Sequence, residues 1–294
     1  MLLPQFIRQA ASSLEALYPP REARSLAERL AEDIQGVKPY AWVIDPALEA
    51  SDALQDGLRR LLDGEPLQYV TGFQEFYGRR FAVRPGVLIP RPETEILVRE
   101  ACVRALQMDS PRVLDLCTGS GCIAWSIALE VPGAEVTAVD LSDAALDVAR
   151  AQNPCDSHPE DGSGAVPGAK RRASAPLFVK ADILLPQEFP GGPFDIIVSN
   201  PPYIRESEKS AMNRNVLEHE PAMALFVPDS DPLVFYRAVA GACIRQLVPG
   251  GWGMVEINES LGEATAEAFA GAGLRNVRIM ADFFGKDRFV IFNR

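Results

Sequence analysis

Several features that would point to particular protein classes are missing from this sequence of 294 residues. No apolar stretch approaches the roughly 18 residues that a membrane-spanning helix needs. Gln5, Arg8 and Gln9 interrupt the first ten residues, so no secretory signal is recognisable. The five cysteines have no paired spacing and the two histidines, His158 and His219, lie far apart, which argues against a zinc site. We therefore expect a cytoplasmic protein with reduced thiols, no bound metal and no membrane partner.

An excess of positive charge is also absent. The chain has 29 Lys and Arg against 40 Asp and Glu, a formal net charge of −11. Proteins that mainly bind phosphate backbones concentrate Lys and Arg, so no direct DNA binding is expected. The length allows one large domain and a smaller one.

The first 72 residues show apolar side chains at the helical period, separated by Pro19-Pro20 and by residues 36–46. The periodic groups are Ile7, Ala10, Leu14 and Leu17, then Leu26, Leu30 and Ile34, then Leu54, Leu58 and Leu61. They predict three or four short helices, a small helical domain over residues 1–72. Two aromatic-rich runs around Gly78 predict a β-hairpin, which we interpret as a linker over residues 73–86.

Residues 87–294 alternate between apolar strands and helical segments, which indicates an α/β domain with a mostly parallel sheet covered on both faces. The predicted parallel strands are 112–116, 135–139, 177–181, 194–199 and 251–257. Two further runs, 277–281 and 288–292, predict an antiparallel pair at the edge. Residues 153–176 are rich in Pro, Gly and Ser and predict a mobile surface loop.

The carboxyl ends of these strands carry the residues best suited to ligand binding, because open α/β sheets bind ligands at that edge. The first strand runs into the turn D-L-C-T-G-S-G at 115–121, and the next three end at Asp140, Asp182 and Asn200. The glycines allow a tight turn and close approach of the backbone to a ligand. Asp140 is placed to accept ribose hydroxyls and Asp182 to meet an adenine amino group. An aspartate after a strand also serves as a helix cap or turn residue.

Two ligand classes fit such a turn. The segment G-S-G-C-I-A at 119–124 matches the G-x-G-x-x-A pattern of dinucleotide-binding proteins. S-adenosylmethionine fits better, because Asp115 offers negative charge to a sulfonium and an ammonium but would repel a pyrophosphate. A hydride-transfer enzyme would also leave the Asn-Pro-Pro-Tyr segment at 200–203 without a role.

Residues 198–204, V-S-N-P-P-Y-I, place a carboxamide, two prolines and an aromatic ring after an apolar strand. Asn200 offers its side-chain oxygen and Pro201 a backbone carbonyl on a stiff segment, two acceptors for the hydrogens of a planar NH₂ group. Tyr203 is expected to be exposed there and to lie flat against that group. Such a clamp would aim the nitrogen lone pair at a methyl carbon, and orientation contributes up to roughly 7–11 kcal/mol in favourable systems. The plain alternative is a turn, since Asn-Pro and Pro-Pro are common in loops.

D-L-C-T-G-S-G followed by V-S-N-P-P-Y-I resembles the Rossmann-like methyltransferases that modify amino or amide nitrogens. Five further segments are similar to those of the release-factor glutamine methyltransferases: E-P-L-Q-Y-V-T-G (65–72), E-F-Y-G (75–78), V-L-I-P-R-P-E-T-E (87–95), E-P-A-M-A-L-F (220–226) and D-F-F-G-K-D-R-F (282–289). The resemblance spans nearly the whole chain.

The resemblance implies a Rossmann-like S-adenosylmethionine-dependent methyltransferase domain over residues 87–294 and a small all-α substrate-recognition domain over residues 1–72. It implies methylation of the side-chain amide nitrogen, N5, of the glutamine in the Gly-Gly-Gln motif of class-1 peptide chain release factors. The cofactor would leave as S-adenosyl-L-homocysteine.

The resemblance also implies roles for individual residues. The catalytic and substrate-binding segment is Asn200, Pro201, Pro202 and Tyr203. Further substrate residues are Arg91, Pro92 and Thr94. The cofactor residues are Asp115, Cys117, Thr118, Gly119, Gly121, Asp140, Leu141, Asp182, Ile183 and Asn200. Cys117 stands where the family usually has glycine, so the turn has less backbone freedom.

Other functions stay open at this point. A ribosomal-protein glutamine methyltransferase is the nearest rival, although the P-R-P-E-T-E element favours release factors. A DNA adenine-N6 methyltransferase would share the NH₂ clamp, but it must also flip its base out of the duplex, and the sequence offers no target-recognition domain. An inactive adaptor that binds release factors would have no need of Asn200.

Overall fold

The computed structural model describes residues 1–152 and 174–294. The loop predicted at 153–176 therefore lies almost wholly outside the described residues, as does His158. The described helices are α1 (Leu3–Leu14), α2 (Pro20–Gln35), α3 (Ala41–Ile44), α4 (Asp52–Leu62), α5 (Leu67–Thr71), α6 (Glu95–Ala105), α7 (Cys122–Glu130), α8 (Asp143–Ala151), α9 (Arg214–His219), α10 (Ala222–Leu225), α11 (Val234–Gln246) and α12 (Gly262–Gly271).

The described strands are β1 (Phe73–Phe76), β2 (Arg79–Ala82), β3 (Arg112–Leu116), β4 (Glu135–Asp140), β5 (Leu177–Lys180), β6 (Phe194–Ser199), β7 (Ile204–Arg205), β8 (Phe226–Val227), β9 (Leu247–Glu256), β10 (Arg275–Ala281) and β11 (Asp287–Asn293). The chain divides into two compact units. One consists of Met1–Phe73 with Met212–Glu220, and the other of Gln74–Ala211 with Pro221–Arg294.

The first unit is helical and has its own apolar core. Phe6 and Leu14 of α1, Leu30 of α2 and Leu54 of α4 are fully buried in it. Leu17 is an exception to the predicted periodicity: α1 ends at Leu14, and the Leu17 side chain is exposed.

Two one-turn helices, α3 and α5, add to the predicted ones, so residues 1–72 form five helices among the described residues. They are too short to leave a periodic pattern in the sequence. Trp42 of α3 and Leu67 of α5 are nevertheless buried in the same core.

The second unit is built on a seven-stranded sheet of described residues, in the order β10-β11-β9-β6-β3-β4-β5. The neighbours β9, β6, β3, β4 and β5 run parallel, and β11 is antiparallel to both β9 and β10. This confirms the predicted fold class, a mostly parallel sheet with an antiparallel edge. The order reverses between β3 and β6, the point at which doubly wound sheets open a ligand crevice.

Successive strand residues point to opposite faces, so each face has its own core. Ile196 and Val198 of β6 belong to the cluster covered by α6 and α7, which also buries Phe76 and Phe81 of the β1–β2 pair. Ile197 belongs to the cluster on the other face, which includes residues of α11 and α12. Both faces are therefore apolar, and polar ligand-binding groups are left to the strand ends.

Among the described residues, no helix has the length and apolarity needed to cross a bilayer. The same residues contain no cluster of three or more His, Cys, Asp or Glu side chains suited to a metal ion.

Candidate active site

A cavity of about 420 Å³ opens at the carboxyl ends of the parallel strands in the second unit. Its volume lies within the usual range for small-molecule sites, about 300–1,000 Å³. The predicted site residues that line it are Cys117, Gly119, Asp140, Leu141, Asp182, Ile183, Asn200 and Pro202. Residues from the ends of β3, β4, β5 and β6 thus meet around one space, as the strand-end argument predicted.

The two glycines of the turn after β3 occupy different environments. Gly119 has φ +56° and lines the cavity, and a Cβ there would meet no atom within 4 Å. Gly121 has φ +79° and does not line the cavity; a Cβ there would lie 3.0 Å from the Ala149 Cβ and 3.2 Å from Trp125. Gly119 leaves open space beside its backbone at the cavity, whereas Gly121 allows the turn to pack against α7 and α8.

Asp140 fixes the shape of this turn. Its Oδ2 accepts a hydrogen bond from the Gly119 backbone N–H at 2.8 Å, and its Oδ1 accepts one from the Ser142 N–H at 2.9 Å. Burial raises the pKa of the Asp140 carboxyl, and these backbone donors oppose that rise. Each carboxylate oxygen keeps a further lone pair with which a ligand hydroxyl can bond.

Asp182 lies at the cavity wall after β5. Its Oδ1 accepts a hydrogen bond from the Leu184 backbone N–H at 2.9 Å, as in a turn-forming aspartate. Asp182 therefore shapes a turn and also lines the cavity, and its contact with an adenine amino group stays a prediction.

Asp115 lies beneath the turn and does not line the cavity. It is fully buried in β3, and its Oδ2 accepts a hydrogen bond from the Thr118 hydroxyl at 2.6 Å. Burial raises the pKa of Asp115 to about 7, partly opposed by the Thr118 bond. The Asp115 carboxyl is therefore harder to ionise than the sequence argument assumed, and its attraction for a cation stays a prediction.

Cys117 has φ +61°, a left-handed conformation in which glycine is the usual residue. The strain is tolerated in this turn, and the thiol lines the cavity. Burial, together with Asp140 and Asp115, raises the pKa of the thiol well above its ordinary value.

Asn200 follows β6 and lies between two spaces. It lines the large cavity and also a smaller one of about 30 Å³, whose other lining residues include Arg91, Thr94 and Thr118. The Asn200 Nδ2 donates a hydrogen bond to the Thr94 Oγ1 at 3.2 Å. The I-P-R-P-E-T-E element is thereby brought to the carboxamide, although Pro92 is exposed and lines neither space.

The remainder of the Asn-Pro-Pro-Tyr segment is arranged differently from the sequence expectation. Pro201 and Pro202 are buried, and only Pro202 lines the cavity. Tyr203 packs against an apolar core cluster, and its hydroxyl donates a hydrogen bond to the Glu256 Oε1 at 3.1 Å. The expectation of an exposed ring was wrong, because the Tyr203 hydroxyl bonds to a buried acceptor, Glu256.

Sequence reasoning missed two contributions to the site. One is an apolar wall from the 221–235 region, including Met223, Phe226 and Phe235. The other is Glu256 at the end of β9, which is 1% exposed. The available signal was a carboxylate inside the otherwise apolar run G-W-G-M-V-E-I. A buried acid needs hydrogen-bonding or charged partners, so its presence there indicates nearby polar side chains.

Comparison with known proteins places these features in a family. Residues 5–72 match the model described as PrmC N-terminal domain, and residues 94–163 match the Methyltransferase small domain. The release factor glutamine methyltransferase of Bacteroides thetaiotaomicron is 41% identical over 98% of this chain and 98% of that one. The enzyme of the same name from Flavobacterium psychrophilum is 35% identical over 100% of this chain and 99% of its own length.

The fold also matches a solved structure. The catalytic domain of hMettl16, in complex with the MAT2A 3′UTR hairpin 6, superposes with a TM-score of 0.50 at 14% identity, covering 83% of each chain. That likeness shows the fold alone. The near full-length identities above show more: this chain belongs to the release factor glutamine methyltransferase family.

Proposed function

We propose that this protein transfers a methyl group from S-adenosylmethionine to the side-chain amide nitrogen of the glutamine in the Gly-Gly-Gln motif of class-1 peptide chain release factors. The observation that carries the proposal is the position of Asn200. Asn200 lines the same cavity as Gly119 and Asp140, which supports a cofactor and an acceptor amide meeting in one space. Family membership supports the choice of substrate.

The cavity residues fit the proposed cofactor. Gly119 leaves room for close approach to the backbone, and Asp140 offers carboxylate lone pairs suited to ribose hydroxyls. Leu141 and Ile183 supply apolar surface at the same wall, suited to the faces of an adenine ring. When bound, S-adenosylmethionine supplies a methyl group activated by the adjacent sulfonium.

The residues of the acceptor side bind and orient. The Asn200 side-chain oxygen and the Pro201 carbonyl would accept the two hydrogens of the glutamine NH₂. These bonds would aim the nitrogen lone pair at the methyl carbon and draw the nitrogen towards tetrahedral geometry. Pro201 and Pro202 hold the two acceptors on a stiff backbone, so little orientation is lost to motion. Fixed orientation of this kind contributes several kcal/mol in favourable cases, up to roughly 7–11. No strong base is required, because the nitrogen loses its proton after it becomes cationic.

The remaining assignments belong to the same proposal. Residues 1–72 would form the domain that recognises the release factor, and residues 87–294 the domain that catalyses methyl transfer. Residues 73–86 would be the linker between these two domains. Arg91 and Thr94 would border the acceptor glutamine, since both line the small space beside Asn200. The enzyme would act in the cytoplasm on release factors, without direct binding to DNA.

The test offers isotopically labelled S-adenosylmethionine to three acceptors in parallel: a class-1 release factor, a set of ribosomal proteins, and adenine-containing DNA. Mass spectrometry of the products then locates the label. We expect label on the Gly-Gly-Gln glutamine alone, and none on a release factor in which that glutamine is replaced by glutamate. Label on a ribosomal protein or on DNA, with none on the release factor, would overturn the proposal.

A further inference from the structure

A buried carboxylate connects the two ends of the Asn-Pro-Pro-Tyr segment. Glu256 accepts a hydrogen bond from the Thr94 hydroxyl at its Oε2 (2.7 Å) and one from the Tyr203 hydroxyl at its Oε1 (3.1 Å). Thr94 also accepts the hydrogen bond from the Asn200 Nδ2. Glu256 therefore holds Tyr203 directly and Asn200 through one intervening hydroxyl.

These hydrogen bonds have a fixed direction, because both Glu256 oxygens accept from hydroxyl groups. The single hydroxyl hydrogen of Thr94 is thereby committed to Glu256. Towards Asn200, Thr94 then acts only as an acceptor, and the Asn200 NH₂ group must face it. The Asn200 Oδ1 is left to a ligand in the cavity that the residue lines.

Two hydroxyls and a positive charge oppose the effect of burial on Glu256. Burial raises the pKa of Glu256 above its ordinary value, and Glu93 adds to this, whereas the Thr94 and Tyr203 hydroxyls and the positive charge of Arg288 limit the rise. The Arg288 Nε is held by Asp282 at 3.1 Å. Asp282 and Arg288 belong to the D-F-F-G-K-D-R-F motif (282–289). This motif therefore supplies a positive charge that acts on Glu256.

We propose that Glu256 and Thr94 are positioning residues, which keep the Asn200 side-chain oxygen turned towards the acceptor amide. The catalytic consequence rests on the proposed function, but the orientation itself does not. Without these hydrogen bonds, the Asn200 carboxamide is free to rotate and present its NH₂ group, which cannot accept a hydrogen from the glutamine.

A purely structural role is the alternative, since loss of any buried hydrogen bond destabilises a protein. The substitutions Thr94→Val and Glu256→Gln keep the volume of the side chain and remove one direction-setting group each. Thr94→Ser keeps the hydroxyl. Thr265→Val is a matched control: Thr265 is a fully buried threonine of α12, outside the site, whose Oγ1 has no hydrogen-bond partner among the described residues.

The first readout is kinetic. We expect Thr94→Val and Glu256→Gln to lower kcat about 10- to 100-fold, a range typical of a misplaced catalytic group. Binding of S-adenosylhomocysteine, measured by calorimetry, should stay within about threefold of wild type. Thr94→Ser should recover most of the kcat lost in Thr94→Val. In an Asn200→Ala background, Thr94→Val should lower kcat much less than it does in wild type, because most of its effect passes through Asn200.

The second readout does not depend on any substrate. In protein labelled with ¹⁵N-asparagine, the side-chain NH₂ signals of Asn200 are assigned by their loss in Asn200→Ala. We expect these signals to shift and to exchange faster with water in Thr94→Val and Glu256→Gln, and to change little in Thr94→Ser and Thr265→Val.

The outcomes separate the two proposals. If wild type leaves the release factor unmethylated, the proposed function fails, and the NMR signals alone decide the orientation. If wild type is active but Thr94→Val keeps its kcat, or loses it equally in the Asn200→Ala background, the positioning role is refuted. Unchanged Asn200 signals in both Thr94→Val and Glu256→Gln would refute it as well.

Discussion

Asn200 and Thr94 lie 106 residues apart in the chain, yet the Asn200 Nδ2 is 3.2 Å from the Thr94 Oγ1. The hydrogen bond joins the strand-end segment of the α/β sheet to the I-P-R-P-E-T-E element that precedes α6. The direction of the Asn200 carboxamide is thus set by residues that a sequence motif search treats separately.

Asn200→Ala should lower the methylation rate far more than it weakens cofactor binding. We expect a loss of at least 100-fold in kcat, because one of the two acceptors for the glutamine NH₂ is removed. Binding of S-adenosylhomocysteine should change by no more than about threefold. Stopped-time assays and calorimetry on the same preparation check this, and equal kcat in variant and wild type would rule out the clamp.

The glycine turn offers a matched pair of substitutions. Gly121→Ala adds a Cβ 3.0 Å from Ala149 at φ +79° and should cost about 2–4 kcal/mol of unfolding free energy, from strain and overpacking together. Gly119→Ala has open space and should cost only about 1 kcal/mol, for the left-handed backbone. The main effect of Gly119→Ala should be a weaker affinity for the cofactor. Urea unfolding and calorimetry separate the two, and the reverse ranking would contradict the assignment.

Asp115 should make the ligand-free protein less stable as pH rises. The folded carboxyl has a pKa of about 7, whereas the carboxyl in the unfolded chain has its ordinary pKa of 3.8, so the folded state binds the extra proton between these two pH values. The free energy of unfolding should therefore fall across this window and level off above it. The Asp115→Asn variant has no such charge, and its stability relative to wild type should rise over the same window, by about 1–4 kcal/mol in all.

The same residue should have the opposite effect on binding. Ionised Asp115 favours a cation, so the affinity of wild type for S-adenosylmethionine should increase as pH rises through about 7. The Asp115→Asn variant should bind more weakly above that pH and lack the increase. Calorimetry at pH 6 and pH 8 measures both, and a pH-independent difference between the proteins would contradict this prediction.

Much of the fold followed from local pattern, because buried parallel strands are nearly continuous apolar runs. The predicted strands 112–116 and 194–199 agree with β3 and β6 to the residue. The strand predicted at 251–257 instead begins at Leu247, since sheet pairing carries it through a Pro-Gly-Gly segment that reads as a turn. Tertiary pairing overrides local turn preference there.

The site was predictable as far as topology determines it. Strand ends on one edge of a parallel sheet must meet, and Asp140, Asp182 and Asn200 do so. The hydrogen bond between Thr94 and Glu256 was not predictable, since it joins side chains 162 residues apart. Tyr203 was misjudged for the same reason, because its buried acceptor lies on another strand.

Gln152 provides a further test of how the turn is supported. Its Nε2 donates to the backbone carbonyls of Ala82 (2.9 Å) and Ser120 (3.2 Å), and its Oε1 accepts from the Ala82 N–H at 2.9 Å. Gln152→Leu leaves these backbone groups unpaired and should cost about 2–4 kcal/mol of unfolding free energy. Cofactor affinity should also weaken, because Ser120 lies within the turn. A change in stability without any change in affinity would show that the turn keeps its shape unaided.

The central claim is that the Asn200 side-chain oxygen holds the acceptor amide, and a crystal structure with S-adenosylhomocysteine and a Gly-Gly-Gln peptide tests it most directly. The account predicts the glutamine amide nitrogen within hydrogen-bond distance of the Asn200 Oδ1, about 2.7–3.2 Å, and facing the cofactor sulfur. It predicts the Asn200 Nδ2 still bonded to Thr94. A glutamine bound elsewhere, or an Asn200 that presents its NH₂ group to the glutamine, would contradict it.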